Sequence, residues 1–123
     1  MNPALSQFAS QQYLSLETYR KDGQTVRTPV WFVEEKGVLY VHTVKNAGKV
    51  KRIRRRARVR VAPCDVVGTV TGEWLEGEAH VLDEAGMTRV NQLLDQKYGD
   101  AMVQFKQRNN LQNVVWDAIE ICV

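Results

Sequence analysis

Two segments of alternating apolar and polar residues near the start of the chain flank an Asp-Gly turn, and this feature constrains the fold more than any other. Residues 12–20 and 25–34 are rich in β-forming side chains, and residues 21–24 (Lys-Asp-Gly-Gln) separate them. An Asp-Gly pair between two alternating runs favours a tight hairpin, because both residues tolerate the positive φ of the turn. The sequence therefore predicts an antiparallel hairpin at residues 12–34.

The second arm of this hairpin contains a proline that restricts its place in the sheet. Alternation puts Thr28, Val30 and Phe32 on one face, and the other face takes Arg27, Pro29, Trp31 and Val33. Pro29 has no N–H for a ladder hydrogen bond, so the strand is expected to lie at an edge or carry a bulge there. A further tight turn at residues 35–37 leads into a third strand at 38–43.

The rest of the chain predicts short strands and three helices. A basic helix over 47–56 docks through Val50 and Ile53, with Asn46 as its N-cap, and strands follow at 58–63 and 71–82. Asp83 caps a helix that Gly99 ends, and a helix at 100–110 and a strand at 113–122 close the chain. About six antiparallel strands predict a mainly β chain that closes into a small barrel, with residues 1–123 as one domain.

The charge distribution is strongly uneven. The chain carries a formal charge of +3, yet residues 45–60 hold nine basic side chains and no acidic one, which leaves −6 on the remainder. Such an island attracts anions whatever the overall charge. Nucleic-acid binding is not expected from it, because no helix-turn-helix or aromatic stacking motif accompanies the arginines.

One segment inside this island has the composition of a phosphate site. Residues 39–53 place Thr43 at the end of a strand, Lys45 and Lys49 in the loop and helix start, and Gly48 between them. Free N–H groups at a helix N-terminus, a hydroxyl and two ammonium groups together suit a phosphate, although the spacing is not that of a Walker A loop. A solvated basic helix is the alternative interpretation of the same residues.

Composition excludes several other classes. No apolar run approaches the roughly 18 residues of a membrane-spanning helix, and the first ten residues do not resemble an export signal, so a soluble cytoplasmic protein is expected. Cys64 and Cys122 form no cysteine or histidine cluster, and neither a disulfide framework nor a metal site is expected.

Several motifs together resemble a known family. They are residues 19–32 (Tyr-Arg-Lys-Asp-Gly-Gln-Thr-Val-Arg-Thr-Pro-Val-Trp-Phe), 39–43 (Leu-Tyr-Val-His-Thr), 48–54 (Gly-Lys-Val-Lys-Arg-Ile-Arg) and 58–64 (Arg-Val-Arg-Val-Ala-Pro-Cys). Their order resembles the pyridoxamine 5′-phosphate oxidase-like, FMN-binding split β-barrel family, and within it the branch of F-420-dependent oxidoreductases. The resemblance runs from about residue 11 to residue 82.

The resemblance implies a homodimer that binds FMN or coenzyme F-420 near the subunit interface. In this sequence it places the cofactor ring along Arg27, Thr28, Pro29, Val30 and Trp31. It places the phosphate at Thr43, Lys45, Lys49 and Lys51, with the backbone of Val50.

The implied activity is hydride transfer between this cofactor and a small organic substrate. Vitamin B6 oxidation is not expected, because the Arg- and His-containing C-terminal segment of true pyridoxamine phosphate oxidases is missing from the sequence. No spacing of side chains indicates a catalytic set, so the cofactor would supply the chemistry. The alternatives are a module that only carries or senses such a ligand, and a basic protein that associates with nucleic acid.

Overall fold

The computed structural model describes residues 3–109 and 114–123, and six antiparallel strands form its centre. The strands are β1 (Tyr13–Tyr19), β2 (Thr25–Glu35), β3 (Val38–Val44), β4 (Arg58–Cys64), β5 (Leu75–Val81) and β6 (Trp116–Cys122). They pair in the order β1-β2-β3-β6-β5-β4, and β4 pairs back onto β1 to close a barrel. The predicted mainly β barrel and its opening hairpin are confirmed.

Alternation along the strands fills the barrel interior with apolar side chains. The inward face of each strand joins one buried cluster, which also takes in Leu5 and Phe8 from a short 3-10 helix, Pro3–Phe8. Burying a leucine or isoleucine completely stabilises the folded chain by about 1.5–3 kcal/mol. The fully or almost fully buried members from the strands are Leu14, Leu16, Phe32, Leu39, Val41, Val59, Val61, Ala79, Ile119 and Ile121.

Three helices complete the structure: α1 (Gly48–Arg55), α2 (Glu84–Tyr98) and α3 (Asp100–Arg108). Val50 and Ile53 of α1 are buried in the barrel cluster, as their spacing predicted. α2 and α3 lie outside the barrel, where α2 packs on β2, β3 and β6 over a second apolar cluster. The predicted cap is also confirmed, since the side chain of Asp83 accepts a hydrogen bond from the backbone N–H of Gly86 at 2.9 Å.

Two local predictions are wrong. Asn46 is not the N-cap of α1, which is Ala47 without a side-chain hydrogen bond. Asn46 has a left-handed φ of 60°, and its backbone N–H donates to Asp117 Oδ2 at 2.9 Å, so it belongs to the turn that leaves β3. The strand predicted from residue 71 begins instead at Leu75, because the pairing of β5 with β4 starts there, opposite Val61. The Trp74 ring, just before the strand, lies against the guanidinium groups of Arg27 and Arg60.

The predicted end of the last helix at Asn110 and the predicted start of the last strand at Asn113 lie outside the described residues. Within the part that the structure describes, no helix is long and apolar enough to cross a membrane. Cys64 is buried, Cys122 is exposed, and both are free thiols.

Candidate functional site

β2 and β3 pair over only part of their lengths, and this partial pairing opens the barrel wall. Their register runs from Glu35 opposite Val38 to Phe32 opposite Val41 and stops there. Beyond that point β2 continues along β1, and β3 continues along β6 as far as Val44. The facing edges of the two strands therefore separate and leave a gap between them.

Pro29 lies on the free edge of β2 beside this gap. It is paired with Ser15 on the β1 side, and the register with β3 has already ended three residues away at Phe32. A proline at such a position sacrifices no ladder hydrogen bond, because the neighbouring strand is absent. The predicted edge position of Pro29 is confirmed.

The gap opens into a cavity of about 360 Å³, within the range of small-molecule sites. Its walls are mostly apolar and aromatic, with one histidine and one threonine among them. They come from β1, β2, β3, α3, β6 and the loop after β4. The lining residues are Tyr13, Pro29, Val30, Trp31, His42, Thr43, Val44, Val66, Phe105 and Trp116.

One wall of the cavity is the ring of Trp31, which other side chains hold in place. Trp31 stacks on Tyr98 with ring centres 4.4 Å apart and an angle of 11°, and Phe105 packs at 4.9 Å. The Tyr98 hydroxyl accepts a hydrogen bond from the Phe32 N–H at 3.0 Å and lies 2.6 Å from the Gln12 carbonyl oxygen. Burial raises the pKa of Tyr98 to about 12, so the hydroxyl keeps its proton at neutral pH.

A second wall is formed by His42 and Trp116, whose rings stack at 4.2 Å and 11°. His42 Nδ1 lies 3.2 Å from Asn91 Oδ1 of α2. Burial lowers the pKa of His42 to about 4 and the cation of Lys106 acts in the same direction, whereas the Asn91 contact opposes the shift. The imidazole at the cavity is therefore neutral at pH 7.

Lys49 and Thr43 connect the cavity to the start of α1. The ammonium of Lys49 donates to Thr43 Oγ1 at 2.9 Å, and Thr43 itself lines the cavity. Burial, and to a lesser extent the guanidinium of Arg52, lowers the pKa of Lys49. No carboxylate of the described residues forms an ion pair with Lys49, so this half-buried cation suits an external anion.

A second cation, Arg52, lies close by and is not among the site residues predicted from the sequence. Arg52 Nε donates to Thr18 Oγ1 at 2.7 Å, and a Cβ on Gly48 would come within 2.8 Å of the Arg52 guanidinium. Glycine at position 48 therefore lets the guanidinium lie against the first turn of α1. The spacing of three residues from Lys49 to Arg52 puts both on one helix face, and this signal could have identified Arg52.

The remaining predicted site residues lie elsewhere around this region. Arg27 is on the outer face of β2, where its Nε donates to Glu17 Oε2 at 2.7 Å, and it does not line the cavity. Thr28 follows it on the inner face of β2, and neither residue contributes to the cavity wall. The structure therefore brings together Pro29, Val30, Trp31, Thr43 and Lys49 from the predicted set.

Three other residues predicted for the phosphate site, Lys45, Lys51 and Val50, do not line this cavity. Lys45 is exposed beside a neighbouring cavity that Asp83, Glu84 and Asp117 also line. Lys51 is exposed on α1. Val50 is fully buried, and its N–H donates within the first turn to the carbonyl of Ala47 at 3.0 Å.

Comparison with known proteins shows which solved structures share this fold. No protein-family model and no curated protein sequence matches the chain. Solved structures do match: HutZ, described as a heme storage protein from Vibrio cholerae, is 14% identical with a TM-score of 0.69 over 98% of this chain and 88% of its own. An FAD-binding protein from Mesorhizobium loti is 15% identical, with a TM-score of 0.66 over 98% and 86%.

An F-420-H2-dependent reductase, FDR-A, is 15% identical with a TM-score of 0.63, over 89% of this chain and 93% of its own. At these identities the likeness concerns the fold, and it defines the chain as a split β-barrel protein. More particularly, the chain has the pyridoxamine 5′-phosphate oxidase-like split-barrel fold, which confirms the resemblance seen in the sequence motifs.

Proposed function

We propose that the protein is an oxidoreductase that binds a phosphate-bearing flavin or deazaflavin, FMN or coenzyme F-420, in the cavity between β2 and β3. One observation carries the proposal: Thr43 lines the cavity and also accepts a hydrogen bond from Lys49 at 2.9 Å. A ligand with a flat ring in the cavity and a phosphate on its tail would meet a cation at the place where its charge lies.

The residues present fit such a ligand. Trp31 and Trp116 offer flat aromatic surfaces at the cavity wall, and aromatic surfaces stack well on planar rings. Lys49 and Arg52 supply two positive charges near the N-terminal turn of α1, whose first N–H groups also favour an anion. Charge-assisted hydrogen bonds of this kind are stronger than neutral ones.

Bound there, a flavin or deazaflavin supplies hydride transfer to or from a small organic substrate. The protein's own contribution is binding and orientation. The Tyr98 hydroxyl and the Trp31 stack hold one wall rigid, and the His42–Trp116 stack holds another. The apolar lining would limit water at the face of a ring bound there, and the residues that line the cavity include no carboxylate or cysteine.

A second copy of the chain would complete the site. Val44 and Val66 line the cavity yet are 44% and 63% exposed, and Val67 beside them is 78% exposed. Exposed apolar groups clustered at a cavity mouth are typical of an interface. This supports a homodimer that covers the cavity, and the free thiols of Cys64 and Cys122 support action in the reducing cytoplasm.

Titration of the purified protein with FMN, riboflavin and F-420 tests the binding proposal. Quenching of tryptophan fluorescence reports on the ring, because Trp31 and Trp116 line the cavity. FMN is expected to bind at least tenfold more tightly than riboflavin, which has the same ring without the phosphate. Equal affinity for FMN and riboflavin, or no binding of any of the three, would contradict the proposed phosphate site.

A carrier or sensor of the same ligand is the second candidate, favoured by the absence of acid–base or nucleophilic pairs among the residues that line the cavity. The rate at which candidate acceptors reoxidise bound, reduced cofactor in a single turnover distinguishes an oxidoreductase from a carrier or sensor. Tight binding without acceleration by any acceptor would favour the carrier. The heme storage protein that shares the fold makes heme the comparison ligand in the same assay.

A further inference from the structure

His42 has one ring nitrogen that the described part of the chain does not satisfy. Its Nδ1 faces Asn91 Oδ1 at 3.2 Å, and its ring face is covered by Trp116. The residue is only 8% exposed, yet no fully buried side-chain nitrogen or oxygen of the described residues lacks a hydrogen-bond partner. Nε2 therefore keeps some solvent-accessible surface, and His42 lines the cavity between β2 and β3.

The neighbours of His42 also decide which role this nitrogen can take. Because Asn91 presents its amide oxygen, Nδ1 carries the hydrogen and Nε2 holds a free lone pair. Burial and the charge of Lys106 both disfavour protonation and lower the pKa of His42 to about 4. At neutral pH the imidazole thus presents a hydrogen-bond acceptor, and it does so within a mostly apolar wall.

We propose that His42 Nε2 accepts a hydrogen bond from a ring N–H of the ligand and so selects planar ligands that carry a donor on the ring edge. This inference rests on the proposed function, since it concerns the same cavity. The pyrimidine part of flavin and deazaflavin rings has such an N–H between two carbonyl groups. Asn91 fixes the tautomer, and the Trp116 stack fixes the plane of the imidazole.

The inference separates the ring end of the site from its phosphate end. His42 and Thr43 are neighbours on β3, so their side chains lie on opposite faces of the strand. Thr43 contacts Lys49 at the start of α1, whereas His42 contacts Asn91 on α2. Loss of one contact should therefore leave the other intact.

The test compares FMN with 3-methyl-FMN, in which a methyl group replaces the ring hydrogen. The wild-type protein is expected to bind FMN at least tenfold more tightly than 3-methyl-FMN. His42→Phe keeps an aromatic ring against Trp116 and removes the acceptor, so its preference for FMN over 3-methyl-FMN should fall well below that of the wild type. His42→Gln restores an acceptor and should recover part of the preference.

The ratio of FMN affinity to 3-methyl-FMN affinity is compared between the wild type and the variants. The steric effect of the methyl group acts in all of them, so a difference between these ratios reports on the hydrogen bond. If His42→Phe retains the full preference for FMN, the inference is overturned. If wild-type protein binds neither FMN nor F-420, the proposed function fails as well. Binding of both FMN and 3-methyl-FMN by the wild type with equal affinity overturns only the hydrogen bond to His42.

A measurement on the wild-type protein keeps the test independent of variant folding. The chain contains two histidines, and the side chain of His80 is 54% exposed and does not line the cavity. In 15N-histidine-labelled protein, FMN should shift the resonance of the unprotonated Nε2 of His42 in the direction of a hydrogen-bonded acceptor and leave His80 unchanged. The same spectrum with F-420 extends the test to the deazaflavin, and an unchanged Nε2 resonance in saturated protein would contradict the inference.

Discussion

The ammonium of Lys49 lies 2.9 Å from the hydroxyl oxygen of Thr43, and this contact joins the start of α1 to the cavity in the barrel wall. Lys49→Ala should therefore lower the affinity for FMN at least tenfold, because a charge-assisted contact to the phosphate is lost. The affinity for riboflavin should stay within about twofold, since riboflavin has no phosphate. Isothermal titration of both ligands measures the two effects.

Arg54→Ala is the matched control for Lys49→Ala. It removes a positive charge from the same helix, but Arg54 is exposed and its guanidinium contacts Asn46 at 3.4 Å. A long-range effect of helix charge would weaken FMN binding in both variants. Because salt screens such charges, the loss of affinity would become smaller at high salt. Equal losses in the two variants would remove Lys49 from the site.

Stability should fall with acid because of His42. Burial holds the pKa of His42 at about 4 in the folded chain, whereas a histidine in the unfolded chain titrates near 6.5. Between these values the unfolded state binds the proton first, so the contribution is complete above about pH 6.5 and disappears as the pH approaches 4. The expected loss is of the order of 3 kcal/mol in the free energy of unfolding.

Urea unfolding between about pH 7 and pH 4 measures this loss, and His42→Gln should flatten the pH dependence. His80→Gln is the control, because its imidazole is largely exposed on β5 beside Glu78. If the slope survives in His42→Gln and vanishes in His80→Gln, the acid sensitivity does not arise at the cavity.

Local signals in the sequence predicted most of the barrel. The Asp22-Gly23 turn, the alternation of β2 and the Val50–Ile53 spacing each depend on residues close together in the chain, and all three appear in the structure. Pro29 also indicated part of the site. Its missing N–H predicted a free strand edge, and that edge forms a wall of the cavity.

The walls of the cavity could not be predicted in this way. Tyr98, Phe105 and Trp116 belong to three elements far along the chain, and only the packing of α2, α3 and β6 brings them to the gap. Their helical and strand spacing is equally typical of an ordinary core. Asn91 is a still weaker signal, since nothing in its surroundings indicates a contact with a strand 49 residues earlier.

The outer face of the barrel carries a buried carboxylate whose loss should be costly. Glu17 is fully buried and lies opposite Arg27 on β2 and Arg60 on β4, at 2.7 and 2.6 Å. Hydrogen bonds from Arg60 and Arg27 lower the pKa of Glu17 although burial opposes the shift. Glu17→Gln should reduce the free energy of unfolding by about 2 kcal/mol, because the charge-assisted hydrogen bonds from the two partly exposed guanidinium groups are lost.

Glu76→Gln provides the comparison for this variant in urea unfolding. Glu76 pairs with Arg58, but both side chains are more than 60% exposed, so the loss should stay below about 1 kcal/mol. The wild-type contribution of Glu17 should also disappear as the pH falls below about 4.5, because its pKa in the folded chain lies below that of the unfolded chain. Equal losses in the two variants would show that water already screens the Glu17 cluster.

Tyr98 combines two roles that different substitutions should separate. Its hydroxyl accepts from the Phe32 N–H at 3.0 Å where β1 and β2 diverge, and its ring stacks on Trp31 at 4.4 Å. Tyr98→Phe should cost about 1–2 kcal/mol in urea unfolding, because the Phe32 N–H loses its acceptor, while the stack survives and FMN affinity stays within about threefold. Tyr98→Leu also removes the stack and should lower FMN affinity further, because Trp31 is then no longer held at the cavity wall. If both variants lose FMN affinity equally, the hydroxyl rather than the stack holds the Trp31 wall.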